Sequence, residues 1–264
     1  MKVLFIGDIF GNLGRKSLKK HLKEMKRKYD VDFCIANGEN AANGRGITYS
    51  IASDLYKMGV DCITLGNHTW GKSDILNFID DDEKMVRPAN YPSNLPGRGS
   101  RVISNEKGDK IGVVNVLGRV YMEGVDCPFT AIEREIDYLK QFVKVVIVDI
   151  HAEATSEKCA IAWDFDGRVS AVLGTHTHVQ TADERILPCG TAFLTDVGMT
   201  GPYNGIIGVD RNIILKKFKT YMPQRFEPAT GMAQINAVYL DIDDKTGRTS
   251  KIERINMKDI DERI

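Results

Sequence analysis

The chain has 264 residues, with 36 Lys plus Arg balanced by 36 Asp plus Glu, 42% hydrophobic residues, 24 Gly and 8 Pro. This composition excludes a disordered, collagen-like or coiled-coil protein, and a chain of this length can bury roughly three quarters of its unfolded surface, so one domain over residues 1–264 suffices. With zero formal net charge, no overall field draws the molecule to nucleic acid or an anionic membrane, and any attraction for anions must be local.

The opening MKVLFIGD has too short an apolar run for a signal peptide or a membrane span. Cys34, Cys62, Cys127, Cys159 and Cys189 form no CxxC and are odd in number, which argues against a disulfide framework and for the cytoplasm. Cys34 and Cys62 lie in apolar runs and read as buried hydrophobes.

In chain order, the apolar runs Val3–Ile6, Phe33–Ala36, Cys62–Leu65, Ile111–Leu117, Val145–Ile150, Ala171–Leu173 and Ala192–Leu194 predict strands covered on both faces. Between the first two, Leu18, Leu22, Met25 and Tyr29 recur at helical spacing within Arg15–Lys28, giving a βαβ unit. Tyr49–Met58 and Ala131–Phe142 predict further helices, and the proline-rich Arg87–Gly99 a long surface loop. Alternation over 233–255 around Asp243–Gly247 predicts an antiparallel hairpin. The fold class is α/β, a layered sandwich of mixed, largely parallel sheets flanked by helices. The pentapeptides at Leu65 and Leu173, LGNHT and LGTHT, hint at two related halves.

Chemistry collects after the strands: Gly7-Asp8, Asn37-Gly-Glu39-Asn40, Gly66-Asn67-His68, Asp149-Ile-His151 and Gly174-Thr-His176-Thr-His178. Ligands of open α/β sheets bind outside the carboxyl ends of strands, so these clusters converge on one crevice. Taken singly, Asp8 reads equally well as a helix cap, and Asn40 and Asn67 as turn residues. Together they form a set of imidazole, carboxylate and amide donors without thiolate, suited to Fe, Mn or Zn with open coordination positions. Seven such donors exceed one tetrahedral ion, which favours two metals and an anionic reactant such as a phosphate ester.

The order GD, GEN, GNH, a lone His and GTHTH resembles the calcineurin-like metallophosphoesterases, whose pattern is D-x-H, GD, GN-H, H and G-H-x-H. GENAANGRGIT, TLGNHTW, RPANYP, DIHAEATSEK, GTHTHVQTADERILP and TDVGMTGP resemble, more closely, the bacterial YmdB-type phosphodiesterases over nearly the whole chain. That resemblance implies the calcineurin-like fold, a cytoplasmic homo-oligomer, two metal ions (Fe, or Mn, with Zn less favoured) and hydrolysis of 2',3'-cyclic nucleotides, with 3',5'-cyclic AMP a further substrate. It implies a first metal site of Asp8, Glu39, Asn40 and His178, a second of Glu39, Asn67, His151 and His176, and His68 as general acid to a leaving alkoxide after in-line attack by a metal-bridging hydroxide. Two departures stand out. Phe10 replaces the usual His of D-x-H, with adjacent Asn40 the candidate substitute, and Glu39 replaces the usual bridging Asp.

Three other readings compete. The same metal site could serve a phosphomonoesterase. Gly7, Gly11 and Gly14, with acidic Glu39 ending the next strand, mimic a dinucleotide-binding turn, though Asp8 would face the pyrophosphate. Arg15, Lys16, Lys19, Lys20, Lys23, Lys26, Arg27 and Lys28 give the first helix a basic face that could contact RNA, although no aromatic platform accompanies it and His21 reads as merely exposed.

Overall fold

The computed structural model describes residues 1–122 and 124–259; residues 123 and 260–264 of the expected domain lie outside the described residues. Five strands open the first sheet: β1 (Lys2–Ile6), β2 (Asp8–Ile9), β3 (Phe33–Asn37), β4 (Cys62–Thr64) and β5 (Met85–Val86). The second sheet follows: β6 (Ser100–Ser104), β7 (Lys110–Leu117), β8 (Val146–His151), β9 (Ala171–Thr175), β10 (Arg185–Ile186) and β11 (Ala192–Leu194), in spatial order β10-β11-β9-β8-β7-β6. The chain then returns to the first sheet with β12 (Met199–Pro202), β13 (Ala233–Ile242) and β14 (Thr249–Asp259). β13 pairs with β14 along its length, and also with β12 at 233–234 and with β1 at 237–241. β1, β3, β4 and β5 run parallel, as do β7, β8, β9 and β11, while the remaining pairings are antiparallel except β2 with β12.

The strand period of two sorts each apolar run between two cores. Val3, Phe5, Ile35 and Cys62 meet Ile111, Val113, Ile147, Leu173 and Leu194 between the sheets. Their neighbours Leu4, Ile6, Ala36 and Ile63 pack outward on Leu18 and Leu22 of α1 (Gly11–Lys28) and Leu55 of α2 (Tyr49–Met58). On the other side Val114, Val148 and Val172 pack on Ile132 and Ile136 of α3 (Pro128–Leu139) and Ile161 of α4 (Thr155–Asp164). Four layers result, helix, sheet, sheet, helix, and α5 (Arg211–Thr220) lies beside them. No described helix is long and apolar enough to cross a membrane.

Several expectations shift. α1 begins at Gly11 rather than Arg15, α3 runs three residues ahead of its expected span, and α4 and α5 were not anticipated. Nor is Arg87–Gly99 simply a surface loop: its first five residues are buried. The Arg87 guanidinium donates to the carbonyls of Pro88, Leu95 and Pro96, and Asn90 bonds both the amide and the carbonyl of Leu117. His21 is half-buried, with Nε2 3.1 Å from Asp259 Oδ1. The hairpin forms as expected, its turn closed by the Gly247 amide donating to the Asp243 carbonyl at 2.8 Å. Cys34 and Cys62 are fully buried.

Candidate metal centre

Parallel strands deliver their carboxyl ends to one side of the molecule, and the predicted residues meet there. Glu39 and Asn40 follow β3, Asn67 and His68 follow β4, His151 ends β8, and His176 and His178 follow β9, while Asp8 opens β2. His151 Nε2 lies 3.0 Å from Glu39 Oε1, 3.0 Å from Asn67 Oδ1 and 3.0 Å from His176 Nδ1. Glu39, His151 and His176 place one donor atom each within 4.8 Å of one another. A second group also meets Glu39: Asn40 Nδ2 is 3.0 Å from Glu39 Oε1, 3.2 Å from His178 Nε2 and 3.5 Å from Asp8 Oδ1. His178 Nε2 is 3.7 Å from Asp8 Oδ1. His68 sits at the rim, its amide donating to Glu39 Oε2 at 2.7 Å and its Nδ1 2.9 Å from Asn40 Oδ1.

Asp8, Glu39 and Asp149 are buried together, an arrangement that calls for positive charge nearby. Burial works against the charged form of His151, but Glu39, Asp8 and Asp149 outweigh it and push the imidazole up to about 9. Burial opposes ionisation of Asp8 too, yet His178 and His151 hold its carboxyl well below the usual carboxylate range. At Asp149 burial prevails and raises the carboxyl to about 6. Carboxylates that stabilise an imidazolium this strongly would stabilise a divalent cation in the same place.

The nitrogens that turn away from the centre are fixed. Thr175 Oγ1 donates to Asp149 Oδ1 at 2.6 Å, so it accepts from His151 Nδ1 at 2.9 Å and leaves Nε2 facing inward, where a metal ion would take the place of its proton. Thr64 and Asn37 hold the other oxygen of Asp149 at 2.5 and 3.2 Å. Likewise His178 Nδ1 donates to the Ile207 carbonyl at 2.9 Å, and His176 Nε2 is 3.2 Å from Glu153 Oε2. Such outer partners set tautomer and ring orientation in metal sites. A cradle for these groups also shows in Gly66, where a Cβ would come within 2.4 Å of Glu39 Oε2 and 2.5 Å of His151 Nε2. The donor set, its buried charge and its fixed ring orientations fit divalent ions.

Sequence reasoning did not single out the supports: Asp149 as the orienter of His151, Thr175, Thr64, Glu153, and the fully buried pair Lys158 and Asp196. Lys158 Nζ donates to Asp196 Oδ2 and to the Thr175 carbonyl, both at 2.8 Å, and Asp196 also accepts the Thr177 and Gly198 amides. Asp149, two residues before His151 on the same strand, was the one visible signal, since residues two apart share a face.

Two glycines of the supposed dinucleotide turn serve packing instead. A Cβ on Gly7 would lie 2.2 Å from the Gly198 carbonyl oxygen and one on Gly14 2.1 Å from that of Thr200, so Gly198 and β12 fill the space a pyrophosphate would need, while Gly11 adopts φ of 60°. On the basic face of α1, Lys20 pairs with Asp259, and Lys26 with Asp61 and the Gly59 carbonyl. Phe10 is buried with Met199, Val209 and Ile214, its ring edge-on to His178 at 5.5 Å between centroids.

Known proteins can be set beside this geometry. The chain is 50% identical over 259 residues to a 2',3'-cyclic-nucleotide 2'-phosphodiesterase of Bacillus subtilis, covering 98% of each. A crystal structure of a hypothetical protein from Thermus thermophilus superposes with a TM-score of 0.91 at 42% identity, covering 98% of this chain and 99% of that one. One of a novel phosphatase from Mycoplasma pneumoniae gives 0.92 at 37% identity, covering 100% and 95%. Residues 4–255 match the model of the YmdB-like protein family, and the chain belongs to that family.

Proposed function

We propose that the protein is a two-metal phosphodiesterase of calcineurin-like fold that hydrolyses cyclic nucleotides, 2',3'-cyclic ones foremost and 3',5'-cyclic AMP as a further substrate. The observation that carries this reading is the convergence of Glu39 Oε1, Asn67 Oδ1 and His176 Nδ1 on His151 Nε2. Its match to the activity named for the Bacillus subtilis relative supports the substrate class. Glu39, Asn67, His151 and His176 would hold one ion, and Asp8, Glu39, Asn40 and His178 the other; the nitrogen and oxygen donors suit Fe, Mn or Zn, and the family resemblance favours iron or manganese. When bound, two divalent ions supply Lewis-acid charge for a phosphoryl oxygen and activation of water near neutral pH.

The chain's own groups do the rest. Only Asp8 and Glu39 among the seven proposed ligands carry negative charge, so the loaded centre stays cationic and attracts a phosphodiester anion. Ligation through Asn40 requires its amide turned over from the orientation in which Nδ2 faces Glu39 Oε1, which brings Oδ1 inward and presents Nδ2 to His68 Nδ1. The imidazole then keeps its proton on Nε2, where it can pass to the leaving ribose oxygen. Glu39 holds the main chain of that turn through the His68 amide, so one carboxylate positions both centre and acid.

Metal analysis of the purified protein, with assay of bis-p-nitrophenyl phosphate, p-nitrophenyl phosphate and cyclic nucleotides, tests the reading. Two ions per chain and preference for diesters are expected. A metal-free active protein overturns the centre, and preference for the monoester overturns the diesterase.

A further inference from the structure

His178 has a second environment. It forms one wall of a cavity of about 280 Å³ whose polar lining comes from Gln180, Tyr203, Gln234, Asn236 and Asn256, with no Lys, Arg, Asp or Glu in the lining. Strand geometry builds it: Gln234 and Asn236 project from one face of β13, and Asn256 of β14 is paired with Asn236. Gln180 is fixed, since its Nε2 donates to the carbonyls of Val197, Ala237 and Ile255 and its Oε1 accepts from Asn256 Nδ2 at 3.2 Å.

Asn236 is the informative residue. It is 2% exposed, and its Oδ1 accepts the Met199 amide at 3.1 Å, but its buried Nδ2 has no partner among the described residues. Buried polar groups are nearly always satisfied, so an orphan amide in a cavity wall points to an absent acceptor. The Gln234 amide likewise makes no hydrogen bond among the described residues. A neutral lining does not suit a second phosphate. Fixed amide donors and acceptors beside an aromatic ring are the means by which proteins read the edge of a heteroaromatic base.

We propose that this cavity receives the nucleobase of the substrate, with the phosphodiester across His178 at the metal centre. The assignment rests on the phosphodiesterase reading above and adds to it the residues that discriminate between bases: Gln234, Asn236 and Asn256.

The test compares kcat/KM of the metal-loaded parent, Gln234→Ala and Asn236→Asp on the four 2',3'-cyclic nucleotides and on bis-p-nitrophenyl phosphate, which carries no base. Asn236→Asp keeps the oxygen that accepts the Met199 amide but removes the orphan donor, and half-buried Gln234 supports no other group. Each variant should lose about tenfold or more on at least one base, through KM, and reorder the four nucleotides; the base-free diester should fall far less. Equal losses on all five substrates, or an unaltered order of bases in both variants, overturn the pocket while leaving the phosphodiesterase reading intact. A parent that cleaves bis-p-nitrophenyl phosphate but none of the cyclic nucleotides overturns both.

Discussion

Gly66 offers a probe of the centre that substitutes none of the proposed ligands. Its φ is not in the left-handed region, so Ala meets no backbone penalty there, and the only change is one methyl group. That methyl would sit 2.4 Å from Glu39 Oε2 and 2.5 Å from His151 Nε2, where ordinary contact begins near 3.4 Å. Neither neighbour can yield freely, because Glu39 and His151 are both buried, Glu39 Oε2 accepts the His68 amide and His151 Nδ1 is held by Thr175. The Glu39 carboxylate and the His151 imidazole must therefore move by about 1 Å, and a misplacement of that size costs on the order of a hundredfold in rate. The assay is kcat/KM on bis-p-nitrophenyl phosphate with metal content per chain, alongside thermal unfolding to show that the fold persists. Gly66→Ala with full metal content and activity within about threefold of the parent would refute the claim that Glu39 and His151 act where the structure puts them.

Thr175→Val keeps the shape but unpairs His151 Nδ1 from Asp149, and should weaken metal affinity about 10–100-fold, read by titration of the metal-free protein; unchanged affinity removes the orienting role. His68→Ala should keep both metals and lose about a hundredfold or more on a ribose leaving group but much less on nitrophenolate; equal losses would falsify the acid role. Lys158→Met leaves Asp196 buried without its cation and should cost about 3–5 kcal/mol of stability, measured by urea unfolding; a loss below about 1 kcal/mol would show that Asp196 finds other compensation. Burial opposes ionisation of Asp183, but the hydroxyls of Thr181 and Thr195 outweigh it and hold the carboxyl below its usual range. That stabilisation is present above the unfolded value near 3.9 and is lost as pH falls through the lower folded value, so the stability gap between parent and Asp183→Asn should narrow on acidification from pH 5. A gap independent of pH refutes it.

The sheets were legible because their strands are covered on both faces: β1, β3 and β8 read as near-continuous apolar runs, whichever core each side chain enters. α4 was not, since its buried face is Lys158, Ile161 and Ala162, and a lysine does not register as a core residue until Asp196 is seen beside it. The same holds for Arg87–Tyr91. Proline and asparagine signal a loop, but whether a loop is buried depends on carbonyls, here those of Leu95, Pro96 and Leu117, that only the fold brings within reach. The site shows the corresponding division. Donor types stand at strand ends and are local features of the chain, whereas the aim of each donor depends on residues distant in sequence. His176 and His178 adopt positive φ of 100° and 64°, unusual for residues with a Cβ, and the Lys158–Asp196 pair holds the main chain between and before them at Thr175 and Thr177.

The Phe10 departure follows the same logic. In the motif it is a single lost ligand, but in the fold it is a packing unit. A Cβ on Gly44, Gly201 or Gly208 would lie within 2.8 Å of the Phe10 side chain, and Gly44 and Gly208 adopt φ of 85° and 94°. Three glycines scattered over more than 160 residues are thus committed to one aromatic ring, which in turn presses on the edge of His178. Restoring a histidine at position 10 would place a polar ring among Met199, Val209 and Ile214 with no partner for its outer nitrogen, a cost that burial makes steep. The apolar ring and the proposed amide ligand would then be one solution: Phe10 packs against the ring of His178, and the donor that position 10 cannot provide is proposed to come from Asn40, whose side-chain amide lies 3.0 Å from Glu39 and 3.2 Å from His178 through Nδ2 and would turn Oδ1 to the ion.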